Sequence, residues 1–291
     1  MPDVRPPIGG DSDDIVLLNP SVTLYDGGRG VDTVNFGDLQ ATVSRVVDGP
    51  DGSSSVYVLY DVGTRLETLV ELKNIESLVG SSHADALSAN AQITALSGGA
   101  GDDTLTAGLD LASPSTLRGG EGADSIVGGG AFDDINGNTG DDVAHGGEGG
   151  DWVVGGQDQD RLYGDAGDDI VLGNLGNDTL DGGAGGDIVR GGQGNDSVAG
   201  GDGNDWISGD RGDDTVAGGG GADTFHAFAG SGADYVQDFH AAEGDRVMLD
   251  AGTAYAVAQV GADTVISFDG GQVVLVGVAL ASLSGDWIFT G

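Results

Sequence analysis

From Gly119 to His226 an aspartate stands at every ninth residue without a break: Asp124, Asp133, Asp142, Asp151, Asp160, Asp169, Asp178, Asp187, Asp196, Asp205, Asp214 and Asp223. Carboxylates repeated at so fixed an interval do chemistry only if the fold brings them together. Close carboxylates repel strongly unless a cation sits between them. The same units are rich in glycine, which lets peptide carbonyls approach a ligand closely. Carboxylate and carbonyl oxygens together select a hard ion that accepts irregular geometry, so Ca²⁺ is favoured over Mg²⁺, and Zn²⁺ is excluded as the main metal.

The elements that must position these acids are written in the same phase. Twelve nine-residue units follow one another, each beginning with glycine, from Gly119, Gly128 and Gly137 through to Gly218. The eighth position is always apolar: Ile126, Ile135, Ala144, Val153, Leu162, Val171, Leu180, Val189, Val198, Ile207, Val216 and Phe225. The second is glycine except at Asn138, Asp165, Asn174 and Asp210. Asn and Asp best tolerate left-handed backbone angles among non-glycine residues, so a positive φ is expected there. Each unit reads as six residues of turn and a three-residue strand whose central side chain points inward. Such a strand has no independent stability, so the strands must stack into a solenoid. Two units per coil put residues 18 apart over one another, about 4.8 Å per coil. One edge then carries Asp124, Asp142, Asp160, Asp178, Asp196 and Asp214, and the other Asp133, Asp151, Asp169, Asp187, Asp205 and Asp223. A disordered Gly/Asp linker, or a dry solenoid with solvated turn acids, would not require acid, glycine and apolar columns to share a phase.

The sequence resembles the repeats-in-toxin family, whose nonapeptide is Gly-Gly-x-Gly-x-Asp-x-U-x with U a large apolar residue. Units Gly119 to Val127, Gly146 to Val154, Gly182 to Arg190, Gly191 to Ala199 and Gly200 to Ser208 match it at every fixed position. The resemblance implies an all-β, right-handed parallel β-roll, with Ca²⁺ held between stacked turns by the sixth-position Asp and glycine-region carbonyls. It also implies export by type I secretion machinery that reads an uncleaved C-terminal signal. Ala131 and Asp158 depart from the pattern at the fourth position. This bears on the occupancy of two nearby sites, although Asp158 could equally add a ligand.

The period continues in degenerate form on both sides. Upstream, Asp103 with Leu105 and Asp85 with Leu87 keep it, as does the spacing of Leu78, Leu87, Leu96 and Leu105. Asp14 and Asp32 lie 18 apart near the start. A Val-rich hairpin insert is expected near 44–68 around Asp48-Gly49-Pro50-Asp51-Gly52, and an enlarged loop from Leu109 to Ser115. Downstream, Asp234 falls in a last repeat-like stretch, Gly230 to Phe239. Alternating strands follow near Arg246 to Leu249, Val265 to Phe268 and Val273 to Val278, ending in Trp287-Ile288-Phe289. A solenoid needs its last coil closed, and this tail resembles the C-terminal capping region of serralysin-type exported proteins. The expected division is a degenerate roll over 1–118, a regular roll over 119–226, and a cap with secretion signal region over 227–291.

Composition narrows the function. The chain carries 48 acids against 10 bases for a net charge of −38, with 58 glycines and 5% aromatics. Such a chain is expected to stay expanded unless something neutralises its acids. Without cysteine, disulfides are excluded. Neither an N-terminal apolar h-region nor 18 consecutive apolar residues occur, so neither a standard signal peptide nor a membrane span is expected. The acidic balance disfavours nucleic acid as a partner. His83, His145, His226 and His240 show no zinc motif, and no nucleophile elbow or cysteine nucleophile is present, so no catalytic residues are assigned. One outward face carries an apolar ladder, Trp152, Ile170, Ile188 and Trp206, with Val154 and Leu172 beside it. Either this face docks another copy or another surface, or the insert or cap folds over it.

The expected function is an extracellular structural protein, a surface-layer, matrix or fibre component, that folds on calcium after secretion and self-associates through this face. The alternative is the calcium-dependent export module of a secreted enzyme such as a protease, lipase or epimerase. Repeats that begin by Gly9 leave no room for a catalytic domain within this sequence, which weighs against that alternative.

Overall fold

In the computed structural model, the described residues are the strands at 15–17, 24–26, 33–35, 41–48, 54–60 and 67–73, together with 75–89, 93–108 and 113–291; side chains are described at 33–35 and from 75 onward. The chain divides into two compact units, Met1–Ala144 and His145–Gly291. Each contains a parallel β-roll whose coils run through two sheets.

In the first unit one sheet stacks Ile15–Leu17, Thr33–Asn35, Ser77–Val79, Ala95–Ala100, Ser115–Glu121 and Asp133–Thr139 in parallel. The opposite sheet includes Ala86–Ser88, Thr104–Thr106 and Ser125–Val127. Register fixes two nonapeptides per coil: Ile15 pairs with Thr33, Ser77 with Ala95 and Ser115 with Asp133. The three extra residues before Ser115 are absorbed without breaking either ladder, since Ala95 pairs with Thr116 and Thr104 with Ser125. The expected enlarged loop lies partly outside the described residues.

The insert is present as a hairpin, Ala41–Asp48 against Ser54–Tyr60, and the Gly49 to Gly52 turn lies outside the described residues. It extends further than expected. Glu67–Lys73 adds an antiparallel third strand, and Leu24–Asp26 pairs parallel with that strand, making a separate four-stranded sheet.

The second unit repeats the roll in 18-residue register up to its last step, where two extra residues put Thr215 against Tyr235. Trp152–Gln157, Ile170–Leu175, Ile188–Gln193, Trp206–Arg211 and Thr224–Ala227 form one ladder. Arg161–Ala166, Thr179–Ala184, Ser197–Asp202, Thr215–Gly220 and Gly232–Val236 form the other. The eighth-position side chains Val153, Leu162, Val171, Leu180, Val189, Ile207 and Phe225 are all buried between the sheets.

At the C-terminal end the ladders close differently. Arg246–Leu249 and Ile288–Thr290 extend the first in parallel. Gly271–Leu275 pairs parallel with Gly232–Val236 and then starts an antiparallel meander with Asp263–Phe268 and Tyr255–Val260. Phe239 lies between Phe225 and Trp287, with ring centroids 5.9 and 6.4 Å away. The last apolar rung is thus covered by aromatic rings, which is what a solenoid end requires.

One expectation is corrected. Ser125–Val127 keeps the expected three residues, but the strands from Val143–Glu148 through Thr215–Gly220 are six residues long. Ladder pairing runs on through the first three positions of the next unit, as at Gly156 with Asn174 and Gln157 with Leu175. This is possible because the first-position glycine faces inward with no side chain to accommodate. Left-handed backbone at the second position is confirmed where it is least ordinary: φ is 80° at Asn138, 70° at Asp165, 77° at Asn174 and 69° at Asp210.

Candidate metal centre

The sixth-position aspartates are almost fully buried. Within each unit most of them lie at the foot of an inward-facing strand, with an Oδ1 that accepts the backbone N–H of the sixth-position residue one coil earlier. Asp151 donates to Asp169 at 2.7 Å, Asp169 to Asp187 at 2.8 Å and Asp187 to Asp205 at 2.9 Å. On the other edge Asp160 donates to Asp178 at 2.9 Å, Asp178 to Asp196 at 2.8 Å and Asp196 to Asp214 at 2.8 Å. In the first unit Asp85 donates to Asp103, Asp103 to Asp124 and Asp124 to Asp142, at 2.7, 2.8 and 2.8 Å. These bonds put the carboxylates into two columns along the edges of the second unit and one in the first.

The second oxygen is the chemically open one. At Asp103, Asp124, Asp169, Asp178, Asp187, Asp196, Asp205 and Asp223 the Oδ2 is buried and accepts no hydrogen bond. It faces the first-position glycine of its own turn and, except at Asp223, a carbonyl of the next coil. A Cβ placed on Gly182 would lie 2.6 Å from Asp187 Oδ2 and 2.5 Å from the Gly200 carbonyl oxygen. Only a residue without a side chain leaves that space to a ligand.

A dry carboxylate is expensive to ionise. Burial pushes the Asp124, Asp169, Asp187, Asp205 and Asp223 carboxyls up to about 6, against the opposing pull of the backbone N–H each accepts. Asp103 and Asp196 rise to about 7, burial again leading, with neighbouring rung carboxylates adding to the rise. Asp234 goes up to about 8, through burial first and the charge of Asp214 second. Groups so placed need a proton or a cation. Among the described residues no three acidic, histidine or cysteine side chains converge on one point. An ion at these edges must therefore draw on peptide carbonyls as well as carboxylates, and an all-oxygen set of that kind suits Ca²⁺.

A model of the RTX calcium-binding nonapeptide repeat matches residues 79–110 and, in overlapping segments, 115–236, which is more than half of the chain. The chain belongs to the RTX calcium-binding nonapeptide-repeat family. Calcium is the cofactor of these repeats. Comparison with curated proteins gave no match. Among solved structures, this chain is similar to part of the extracellular lipase LipA from Serratia marcescens, at 22% identity and a TM-score of 0.25, over 61% of this chain and 40% of the lipase. The chain therefore spans well under half of that protein's length.

The other residues singled out from sequence fall as follows. Asp14 and Asp32 lie outside the described residues. Asp133, Asp142, Asp151, Asp160, Asp214 and Asp234 are buried at the expected edges. Asp245 was not anticipated. It is buried, accepts the Asp223 N–H at 3.1 Å and continues that edge. Its signal was the triplet Asp245-Arg246-Val247, an acid two residues before an apolar core position, displaced by an insertion from the regular spacing. In the first unit, register puts Glu76, Thr94 and Ser115 at the sixth position before Asp133, so no aspartate column forms along that edge.

The apolar ladder is in register, with Trp152 beside Ile170, Ile170 beside Ile188 and Ile188 beside Trp206. Trp152 is 50% and Ile188 40% exposed, while Ile170, Trp206, Val154 and Leu172 are half-buried. At its C-terminal end the ladder turns polar. His226 stacks on Trp206 at 4.9 Å, and Arg190, paired with Asp210 at 2.8 Å, lies over the same indole. Among the described residues no helix is long and apolar enough to cross a membrane.

Proposed function

We propose that this chain is a secreted structural protein whose folding is switched by calcium and which associates with copies of itself through the Trp152 to Trp206 face. The observation that carries the reading is the row of buried Oδ2 atoms without a hydrogen-bond donor, each facing a glycine that leaves room for an ion. The residues proposed to hold calcium are Asp103, Asp124, Asp169, Asp178, Asp187, Asp196, Asp205, Asp214 and Asp223, with Asp142, Asp151 and Asp160 in the same register, and Asp234 through its buried Oδ1 rather than Oδ2, which accepts the Ser231 hydroxyl at 3.4 Å. Bound calcium supplies the positive charge that offsets adjacent carboxylates. At low calcium, the acids repel and keep the chain open for export. At the roughly 10⁻⁴ to 10⁻³ M affinities of extracellular calcium modules, folding is expected outside the cell. Type I export and extracellular residence belong to this reading.

The test is a calcium titration followed by circular dichroism and light scattering, on the wild type and on Gly182→Ala. Wild type should gain β-structure cooperatively and contract. Gly182→Ala should require several-fold more calcium, because its methyl group occupies the space beside Asp187 Oδ2. Equal folding in chelator and in calcium would overturn the proposal. An enzyme-module role becomes the better reading if the secreted product proves to be a longer hydrolase.

A further inference from the structure

Not every aspartate in these columns is open. Asp85 Oδ2 accepts the Ser81 N–H at 2.5 Å and the Ser81 hydroxyl at 2.9 Å. Asp133 Oδ2 accepts the Gly129 N–H at 2.6 Å. Asp245 Oδ2 accepts the His240 N–H at 2.7 Å. In each case a peptide N–H of the aspartate's own turn occupies the lone pair that remains unused at Asp169, Asp178, Asp187 and their equivalents.

The turns that do this share a sequence feature. Counting the aspartate as sixth, their fourth residues are His83, Ala131 and Glu243, none of which adopts a left-handed φ. In the turns of Asp103, Asp124, Asp169, Asp178, Asp187, Asp196, Asp205, Asp214 and Asp223 the fourth residue is a glycine with positive φ, in chain order from Gly101 at 115° to Gly221 at 133°. Asp158, the one non-glycine substitute in the regular block besides Ala131, takes φ 78° and preserves the turn. Alanine, histidine and glutamate pay a steric cost for that conformation. Their turns fold differently, and an early N–H reaches the carboxylate.

We infer that the rungs at Asp85, Asp133 and Asp245 are closed by their own backbone and take no cation, so that calcium is confined to rungs whose fourth residue is left-handed. The assignment rests on the calcium reading above. It also fits where these residues stand. Asp85 and Asp133 are the first aspartates of their edges among the described residues of the first unit, and Asp245 is the last on its edge in the second. An end rung has at most one neighbouring carboxylate, so a hydrogen-bonded plug there costs fewer shared ions than one inside a column.

The test is an anomalous difference map from crystals of the unmodified protein grown with calcium and soaked in a lanthanide. Peaks are expected at about 2.3 to 2.6 Å from Oδ2 of the open rungs and none near Asp85, Asp133 or Asp245. In solution, Asp187→Asn should bind at least one ion fewer than wild type, whereas Asp133→Asn should bind as many. Peaks at Asp133 and Asp245 equal to those at Asp187 would overturn the inference and leave the calcium reading intact. Peaks at no rung would remove both.

Discussion

An aspartate that gives one oxygen to the coil before it and keeps the other dry can be satisfied by a proton or by a metal ion, and pH separates the two. Burial raises the carboxyls of Asp169, Asp187, Asp205 and Asp223 to about 6 and that of Asp196 to about 7. A raised acid binds its proton more tightly in the folded state than in the unfolded state. Its contribution is therefore fully present below the unfolded value near pH 4 and is lost as pH rises through the folded value. Without calcium, the roll should gain stability on acidification from about pH 7.5 to about pH 5, the reverse of ordinary acid denaturation. With calcium the sign inverts, because protons and ions compete for the same oxygens. The calcium midpoint of folding should climb several-fold over that range, and chelator-treated and calcium-loaded melts at matched pH would show both trends. A flat midpoint from pH 7.5 to pH 5 would mean that these oxygens do not hold the ion.

Each strand contributes one fully buried side chain per nonapeptide, so a single deletion leaves a gap with little to collapse into it. Leu162 and Leu180 are buried between the sheets of the second unit. Leu162→Ala or Leu180→Ala should cost about 2 to 5 kcal/mol in calcium, read by thermal or denaturant melts, while the outward Thr179→Ala should change stability by less than about 0.5 kcal/mol. This layout was legible from sequence because acid, glycine and apolar residue recur at one phase, and the phase alone dictates turn, strand and stacking. The positive φ at the second position was legible for the same reason, since Asn138, Asp165, Asn174 and Asp210 are the residues that tolerate it. Strand length was not, because it depends on how far backbone pairing runs past the apolar position into residues whose side chains give no signal. Asp245 was hidden by an insertion within its turn. Of the closed rungs only the one at Asp133 left a signal in the sequence, through Ala131 at its fourth position, because a hydrogen bond from a turn N–H to a carboxylate is a property of turn geometry.

At the scale of the whole molecule, net charge and the apolar ladder act against each other. A formal charge of −38 drives copies apart, whereas a half-exposed Trp152 and Ile188 in register with Ile170 and Trp206 favour burial against a complementary surface. Each bound calcium reduces the repulsion, and salt screens the remainder over a Debye length of about 10 Å at 0.1 M. Association should therefore depend on calcium and strengthen as monovalent salt rises, the opposite of what a charge-driven contact would do. Sedimentation of the calcium-loaded protein should show a weight-average mass that increases with concentration, and more steeply in high salt. Trp152→Thr with Ile188→Thr keeps strand-forming residues at outward positions and should abolish that increase while leaving the calcium midpoint unchanged. A wild type that stays monomeric at every salt and protein concentration in calcium would remove self-association from the proposed function and leave the folding switch to stand alone.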